Sequence, residues 1–518
     1  MKKIAVKIFF LPGIVSCFFS CDFDLDKENP NSVTVESFYK TEDDLTNAVN
    51  ATYAVLQDAS LVAREWFFIH DLRSDDMATG GGQLETPRYQ VLIGTNDPAN
   101  FVAENVWNGW YAVIHRANVV IEKAADINMD SETRRERLVG EAKFLRAWAY
   151  FDLVSLWGGV PLYNEYVKDL SGSKPRATVD EVYASIISNL QDAIAALPLS
   201  YSGEDIGRAT QGAARAMLAK VYMQHGDYES AKTQLQAIID SNQYWLVDNY
   251  NDNFLEETEY NAESVFEVGF MDSNSNFNWG YNNGDAMGPE TTLHNQEICP
   301  ISWANLIPSQ SLLEEFESTD VAGNMKTDPR YKFSFYEVGD MIVTGPLTED
   351  QFNIVSSSVR GGPPKKVGWR KHTILYKNAS SYYPGGVNER VIRYAEVLLM
   401  MAECQNETGG SEADVLFTLN QIRDRSSVSM PHYPTVNYPT ETKEDRFRAI
   451  VHEKRVELAG EEIRNRDILR WRQEDKLALI GGDPIAYFQP DKYELLPIPQ
   501  SEIDNSPNIG DEDQNPGY

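Results

Sequence analysis

Cysteine is scarce in this chain of 518 residues, which contains only four. They stand at positions 17, 21, 299 and 404 and form no CxxC pair, so we expect neither a disulfide scaffold nor a cysteine-based metal cluster. Cys299 and Cys404 could pair in an oxidising compartment, but two buried free thiols are the more common outcome. We therefore assign them no chemistry, and nothing in the sequence predicts a bound metal or cofactor.

Basic residues are also few. The chain has 46 Lys and Arg against 78 Asp and Glu, a formal net charge of −32. A protein of this charge repels nucleic-acid phosphates and anionic lipid headgroups, which excludes nucleic-acid binding and electrostatic attachment to a membrane. Its 42% hydrophobic and 24% charged residues are typical of a globular protein of one large or two fused domains.

Catalytic motifs are missing. His452-Glu453 lacks the second histidine of HExxH, and the sequence contains no GxSxG motif or P-loop. A glycosidase needs two carboxylates about 5 to 10 Å apart, and nothing singles out such a pair among the 78 acids. The charged run from Glu453 to Arg470 has mixed signs at near-helical spacing, which favours internal ion pairs over catalysis. We predict that the protein is not an enzyme.

Long hydrophobic runs are limited to the N-terminus. Lys2, Lys3 and Lys7 precede an apolar run from Ile8 to Phe19, which is typical of an export signal and too short to span a bilayer. Residues 1–20 are therefore predicted to be a lipoprotein signal peptide.

Cys21 is the predicted lipidation site, because Phe19-Ser20-Cys21 places a small residue directly before a cysteine. The alternative is Cys17, since Ile14-Val15-Ser16-Cys17 fits the lipobox better residue by residue. We favour Cys21 because cleavage at Cys17 leaves an apolar region of only about eight residues. Acyl chains on this cysteine would hold the protein in the membrane.

Helical periodicity dominates the rest of the chain. Apolar residues from Leu45 to Leu56 follow one helix face after an acid-rich first turn, and the pattern recurs at 102–126, 133–157 and 179–197. No series of alternating strands separated by turns is present, so a sandwich, a barrel or a Rossmann sheet is not expected. The sequence predicts a mainly α fold.

Helix pairs repeat along the chain. One unit has the spacing of a tetratricopeptide repeat, with the residues Leu218, Ala219, Tyr222, Gly226, Ala231, Leu235 and Ile238. Residues 391–423 give a second helix-turn-helix unit, and residues 141–197 suggest a third that is interrupted at 158–161. Such units stack because one pair cannot cover its own apolar face.

Residues 242–390 are rich in Asn, Ser, Gly and Pro and predict long ordered loops, where binding groups usually lie. Trp279, Tyr281 and Trp303 stand among polar residues there, with Asn282 beside them. An aromatic plane packs against the CH face of a sugar, and amides bind its hydroxyls, so these four are candidate ligand residues. The alternative is that the aromatics fill gaps in the helical wall. Trp148, Trp157 and Trp471 lie on apolar helix faces and are expected in the core.

A second candidate ligand region lies earlier in the chain. It precedes and includes the triple glycine at 80–82, which predicts a flexible or tight loop and lacks the Lys and helix of a phosphate site. Its candidate residues are Trp66, Arg73, Asp75 and Asp76.

Short sequence blocks that are characteristic in their order and spacing are distributed over nearly the whole chain. They are Asn29-Pro30, Phe38-Tyr39, Asp43-Asp44-Leu45, Gly140 to Ala147, Tyr150-Phe151, Gly158-Gly159-Val160-Pro161, Ala216 to Tyr222, Arg393 to Leu399, Asn420-Gln421-Ile422-Arg423, Glu453 to Leu458, Leu496 to Ile503 and Gln514 to Tyr518. With the lipoprotein start, they make the sequence resemble the SusD/RagB family of outer-membrane lipoproteins, the glycan-binding partners of SusC-like TonB-dependent transporters.

The resemblance implies a tetratricopeptide-like α-superhelix with an irregular, loop-rich second part. It divides the mature chain into a helical part at 21–240 and a loop-rich part at 241–518, closely packed together. It also implies a lipid-anchored protein on the outer face of the outer membrane that captures a glycan for the transporter. An oligopeptide ligand is the first alternative, and a surface glycoside hydrolase is the second.

Overall fold

Antiparallel α-helices make up most of the structure. The computed structural model describes residues 38–80, 84–272, 290–317, 327–354, 366–380, 384–485 and 488–518. The lipidation candidates Cys17 and Cys21 lie outside the described residues. None of the described helices has the length and apolar character needed to cross a membrane.

The described residues of the first part of the chain form eight α-helices. They are α1 (Glu42–Ala54), α2 (Glu65–Asp71), α3 (Thr86–Ile93), α4 (Phe101–Lys123), α5 (Glu132–Trp157), α6 (Val179–Ala196), α7 (Gln211–Gln224) and α8 (Tyr228–Asp240). From α4 to α8, each helix packs against the next one along the chain. This sequential packing of neighbours is the architecture of a helical solenoid.

Local sequence explains where these helices begin. Thr41 and Thr178 each form a capping box with the acid three residues later, and the Asn100 side chain accepts the N–H groups of Val102 and Ala103. These side chains satisfy backbone donors that have no partner within the helix. The helix predicted after Thr41, with its acid-rich first turn, is confirmed.

The three predicted helix pairs are present. The first is α5 with α6, the second α7 with α8, and the third α12 (Tyr394–Glu407) with α13 (Glu412–Arg423). Gly226 lies in the turn of the second pair with φ +83°, a conformation that disfavours any residue with a Cβ. Helix α12 also packs on α8, so the third pair continues the array. The prediction of a mainly α, tetratricopeptide-like fold is confirmed.

The second part of the chain is less regular. Its other helices are α9 (His294–Ile298), α10 (Gln310–Glu315), α11 (Arg330–Ser334), α14 (Lys443–Leu458), α15 (Arg464–Gln473) and α16 (Gln500–Asn505). The strands of the described residues are β1 (Met77–Ala78), β2 (Ser264–Val268), β3 (Ile307–Pro308), β4 (Phe335–Glu337), β5 (Met341–Ile342), β6 (Gly345–Pro346), β7 (Val367–Trp369) and β8 (Glu389–Arg393). Within the described ranges they form four antiparallel pairs, β1–β3, β2–β8, β4–β7 and β5–β6.

One apolar core runs through both parts, from Val55 to Ile498. Trp148, Trp157 and Trp471 are buried, as predicted. Cys299 and Cys404 are also buried and unpaired, which confirms the prediction of two free thiols. The predicted boundary between residues 240 and 241 falls at the end of α8, and it stays a prediction because the core continues across it.

The C-terminal end of the chain completes the first part. The Trp157 indole N–H donates to the Pro497 carbonyl at 2.9 Å, and the Asn515 amide donates to the Trp157 carbonyl at 2.9 Å. The Arg176 guanidinium donates to the Asn515 side chain at 2.8 Å. Residues 493–518 therefore close the helices that are encoded at the start of the chain.

Candidate ligand-binding site

The charged run from Glu453 to Arg470 lies inside the molecule. Its carboxylates pair with arginines from distant segments: Glu453 with Arg330 and Arg423, and Glu457 with Arg330, Arg393 and Arg425. All of these side chains are buried. The prediction of internal ion pairs is confirmed.

These pairs set the electrostatics of the interior. Burial alone would raise the pKa of Glu453, but the Arg330 and Arg423 guanidiniums outweigh it and hold that pKa at about 2. Burial also opposes ionisation of Glu315, while His452 and Arg455 bring its pKa to about 2. Both carboxylates are therefore charged at neutral pH and are held by cations of this chain.

Trp66 belongs to this interior. Only 2% of it is exposed, and its indole N–H donates to Asp152 Oδ2 at 2.7 Å. Its ring meets Trp148 edge-on, with 6.1 Å between ring centroids. The structure thus places Trp66 in the core, where it has no surface to offer a sugar.

Arg73, Asp75 and Asp76 are buried as well. Arg73 Nη2 donates to the Tyr493 carbonyl at 2.9 Å. Arg464 Nε contacts Asp75 Oδ1 at 2.7 Å, and Arg455 Nε contacts Asp76 Oδ1 at 2.8 Å. Our interpretation of these residues as ligand groups is corrected on this point, because internal pairs between the start and the end of the chain occupy them.

Trp279, Tyr281 and Asn282 lie outside the described residues. The segments on either side of them come together, since the Met271 N–H donates to the Glu290 carbonyl at 2.6 Å. The ligand role of these three residues stays a prediction.

Trp303 is half-buried and lies in the turn that follows α9. The backbone N–H of Trp303 donates to the Gln296 carbonyl at 3.2 Å, and the backbone N–H of Gly80 donates to the Ala304 carbonyl at 3.3 Å. The pairing of β1 with β3 brings these turns together. The structure thus unites the first glycine of the triple-glycine loop with the turn that carries Trp303.

A third segment joins them. Asn353 Nδ2 donates to the Ser302 carbonyl at 2.6 Å, and the Ile354 side chain lies over Gly80. A Cβ on Gly80 would come within 3.0 Å of the Ile307 and Ile354 side chains, so a larger residue here would force these side chains to shift. We call the surface formed by the half-buried Trp303, Asn353 and Ile354, which lies over the buried Gly80 and Ala304, the Trp303 face.

A cleft of about 590 Å³ opens where the segment 273–289 leaves the described fold. Tyr260, which is 40% exposed, lines it with Gln57 and Arg208. The Gln57 amide donates to the Gly269 carbonyl at 2.7 Å, which fixes one wall. The sequence analysis missed Tyr260. Its neighbours in the sequence are acids and Asn261, a polar setting like the asparagines around Trp279.

Glu259 precedes Tyr260 in the chain. Burial and the nearby Glu267 carboxylate raise the pKa of Glu259 to about 8, against the lowering effect of the Asn388 N–H that it accepts. At neutral pH this carboxyl is therefore mostly protonated, which reduces the negative charge beside the cleft.

A second cleft of about 720 Å³ lies between α5, α6 and residues 162–177. Its polar walls include Lys143, Arg146 and Asn189. None of the described residues that line it is aromatic, so it has no flat platform for a sugar ring. The Trp303 face and the Tyr260 cleft are the better candidates for a ligand site.

Comparisons with known proteins match both parts of the chain. Residues 262–518 match the family described as "SusD family", and residues 22–223 match the family described as "Starch-binding associating with outer membrane". SusD-like protein P25 of Formosa agariphila is 26% identical over 540 residues, covering 100% of this chain and 99% of the relative.

Two further relatives have names that state a ligand. Starch-binding protein SusD of Bacteroides thetaiotaomicron is 23% identical over 433 residues, which cover 75% of this chain and 74% of that protein. A solved structure described as a laminarin-binding SusD-like protein is 26% identical, with a TM-score of 0.74 over 93% of this chain and 100% of its own.

Together these matches cover residues 22–223 and 262–518. The family consists of carbohydrate-binding proteins without catalytic activity, and the prediction that this protein is not an enzyme agrees with that. The chain belongs to the SusD/RagB family.

Proposed function

We propose that this protein captures a glycan at the outer surface of the outer membrane and delivers it to a SusC-like TonB-dependent transporter. The observation that carries the ligand site is the half-buried Trp303, held between three loop segments on the Trp303 face. Relatives named for starch and laminarin binding support a glucan or a similar glycan as the ligand class.

Chemistry favours this surface. A sugar ring presents CH groups to an aromatic plane and hydroxyls to neighbouring amides, and Trp303 with Asn353 offers both kinds of group. We propose the Tyr260 cleft as a second part of the ligand site and assign Trp279, Tyr281 and Asn282 to it, because Gly269 and Glu290, on either side of their segment in the chain, line this cleft. Stacking and a few hydrogen bonds must compete with water, so we expect weak to moderate affinity that permits release to the transporter.

We further propose that acylation anchors the chain, at Cys21 or alternatively at Cys17. The family description "associating with outer membrane" supports the location. If Cys21→Ala protein is still acylated at the cell surface while Cys17→Ala protein is not, the anchor is Cys17.

Calorimetric titration of the full-length protein with laminarin, starch and other polysaccharides tests the proposed ligand site. Trp303→Ala should weaken glycan binding at least tenfold, since a buried aromatic anchor contributes roughly 2 kcal/mol or more and 1.4 kcal/mol corresponds to a factor of ten. Trp245→Ala is the matched control because Trp245 is 60% exposed and its backbone N–H donates to the Ala262 carbonyl, which is outside the segments that form this face. We expect it to bind as the wild type does.

Three results would count against the proposal. Unchanged glycan affinity in Trp303→Ala protein would remove the Trp303 face from the site. Binding of oligopeptides alone, from a panel titrated in parallel, would assign the protein to peptide uptake. Release of sugar from a polysaccharide would support the glycosidase alternative.

A further inference from the structure

Two buried carboxylates differ from their neighbours. Asp71, at the end of α2, is 4% exposed, and Glu462, between α14 and α15, is 3% exposed. Asp75 and Glu461, close to them in sequence, are each paired with an arginine or lysine. Among the described residues, no arginine or lysine forms an ion pair with Asp71 or Glu462. Neither carboxyl group therefore has a lysine or arginine to stabilise its ionised form.

An oxygen of each carboxylate also has no hydrogen-bond partner. These atoms are Asp71 Oδ2 and Glu462 Oε1, and both are shielded from solvent. His294, at the start of α9, is the third member of the cluster, and one ligand atom from each residue lies within 4.8 Å of the others. His294 Nε2 is 4.0 Å from Glu462 Oε1. A buried polar atom without a partner is costly, so this arrangement calls for a positively charged occupant.

The His294 ring is fixed in orientation. It stacks on Phe67 with 4.2 Å between centroids and on His372 with 4.3 Å. Its Nδ1 lies 3.2 Å from Glu389 Oε2, and this carboxylate favours the tautomer with the proton on Nδ1. The lone pair is then on Nε2, the nitrogen that faces Glu462. A carboxylate that accepts one ring N–H while the other nitrogen binds a metal is the usual environment of a ligating histidine.

We propose that Asp71, His294 and Glu462 bind a divalent transition-metal ion, with Zn²⁺ the expected species, and that Glu389 orients His294 for it. One imidazole nitrogen and two carboxylate oxygens suit this class of ion. Its double charge balances the two carboxylates that have no basic partner. Bonds of about 2.0 to 2.2 Å would draw the three ligands closer together.

The ion would be structural. Its ligands come from α2, from the start of α9 and from the turn after α14, so it would join the two parts of the chain. The site is buried, which leaves no path for a glycan to reach the metal. Protons shared among the carboxyl groups are the rival way of neutralising the cluster, and metal analysis separates the two.

Elemental analysis of the full-length protein, purified without a polyhistidine tag and without chelator, tests the proposal. We expect about one equivalent of zinc per chain. Glu462→Gln and Asp71→Asn keep the side-chain shapes and should each reduce bound zinc at least tenfold. His432→Gln is the matched control, because His432 pairs with Asp424 at the surface, and it should keep the full equivalent.

A measurement on the wild type does not depend on the folding of the variants. The protein is unfolded in denaturant with chelator, freed of both, and refolded with Zn²⁺, with Mn²⁺ or without metal. We expect Zn²⁺ to raise the thermal unfolding midpoint by several degrees. Only trace metal in the purified protein together with equal midpoints after all three refolding treatments would overturn the proposal, as would a full equivalent of zinc in the Glu462→Gln protein.

Discussion

Replacing Arg393 by methionine should destabilise the protein by about 3–5 kcal/mol. The Arg393 guanidinium contacts Glu263, Glu457 and Glu461 at 2.6 to 2.7 Å, and its environment is almost fully buried. Methionine fills a similar volume but leaves three carboxylates with one cation fewer. Because a buried charge without its partner costs far more than the pair contributes, the loss should be large. Denaturant unfolding followed by circular dichroism measures it.

Lys332→Met is the matched control for this experiment. Lys332 also pairs with a carboxylate, Glu337 at 3.0 Å, but its side chain is 56% exposed. A surface pair contributes about 0–1 kcal/mol, so this substitution should change stability little. If Arg393→Met destabilised the protein no more than Lys332→Met does, the buried ion pairs of the second part of the chain would not be stabilising the fold.

Acidification from pH 4.5 to about 2 should unfold the protein. Glu453 and Glu315 have pKa values of about 2 in the folded state, against an ordinary value of 4.5. The unfolded chain therefore binds more protons in this interval, and stability falls as the pH falls. Each pKa unit corresponds to 1.36 kcal/mol, so Glu453 alone contributes on the order of 3 kcal/mol at neutral pH. Thermal unfolding midpoints across this pH range measure the effect.

Two variants show whether the paired carboxylates cause the acid sensitivity. Glu453→Gln has no titrating group at this position, so its midpoint should be lower at neutral pH and should fall less steeply below pH 4.5. Glu229→Gln changes an exposed carboxylate and should keep the wild-type slope. A wild-type midpoint that stayed constant between pH 4.5 and 2.5 would contradict the assignment of low pKa values to these groups.

The helical fold was predictable because its causes are local. Apolar residues recur at helical spacing, acids fill first turns, and Gly226 ends a helix where a positive φ is needed. The short strands were not predictable in this way. β1 and β3 have two residues each, and their pairing depends on segments far apart in sequence.

The candidate site was only partly predictable. Trp303 stood out as an aromatic in polar sequence, and the structure leaves it half-buried on a loop face. Trp66, Asp75 and Asp76 are also aromatic or polar residues near a glycine-rich loop. In the folded protein, however, Asp152 contacts Trp66, and arginines contact Asp75 and Asp76. Residue type alone does not distinguish a polar group that can bind a ligand from one that pairs with a distant residue of the same chain.

The proposed metal site has no signal in the sequence, from which no metal ligands were predicted. Asp71, His294 and Glu462 lie in separate thirds of the chain and match no spacing motif. Their proximity depends on how α2, α9 and the turn after α14 pack, which no local pattern encodes.

The C-terminal contacts of α5 have a consequence for biosynthesis. The Trp157 indole N–H has its Pro497 acceptor, and the Trp157 carbonyl has its Asn515 donor, only when residues 340 and 358 positions later in the chain have been made. Helix α5 therefore cannot reach its final packing until this distant segment has been synthesised. Removing residues 493–518 should leave a species that exposes apolar surface and needs protection by chaperones.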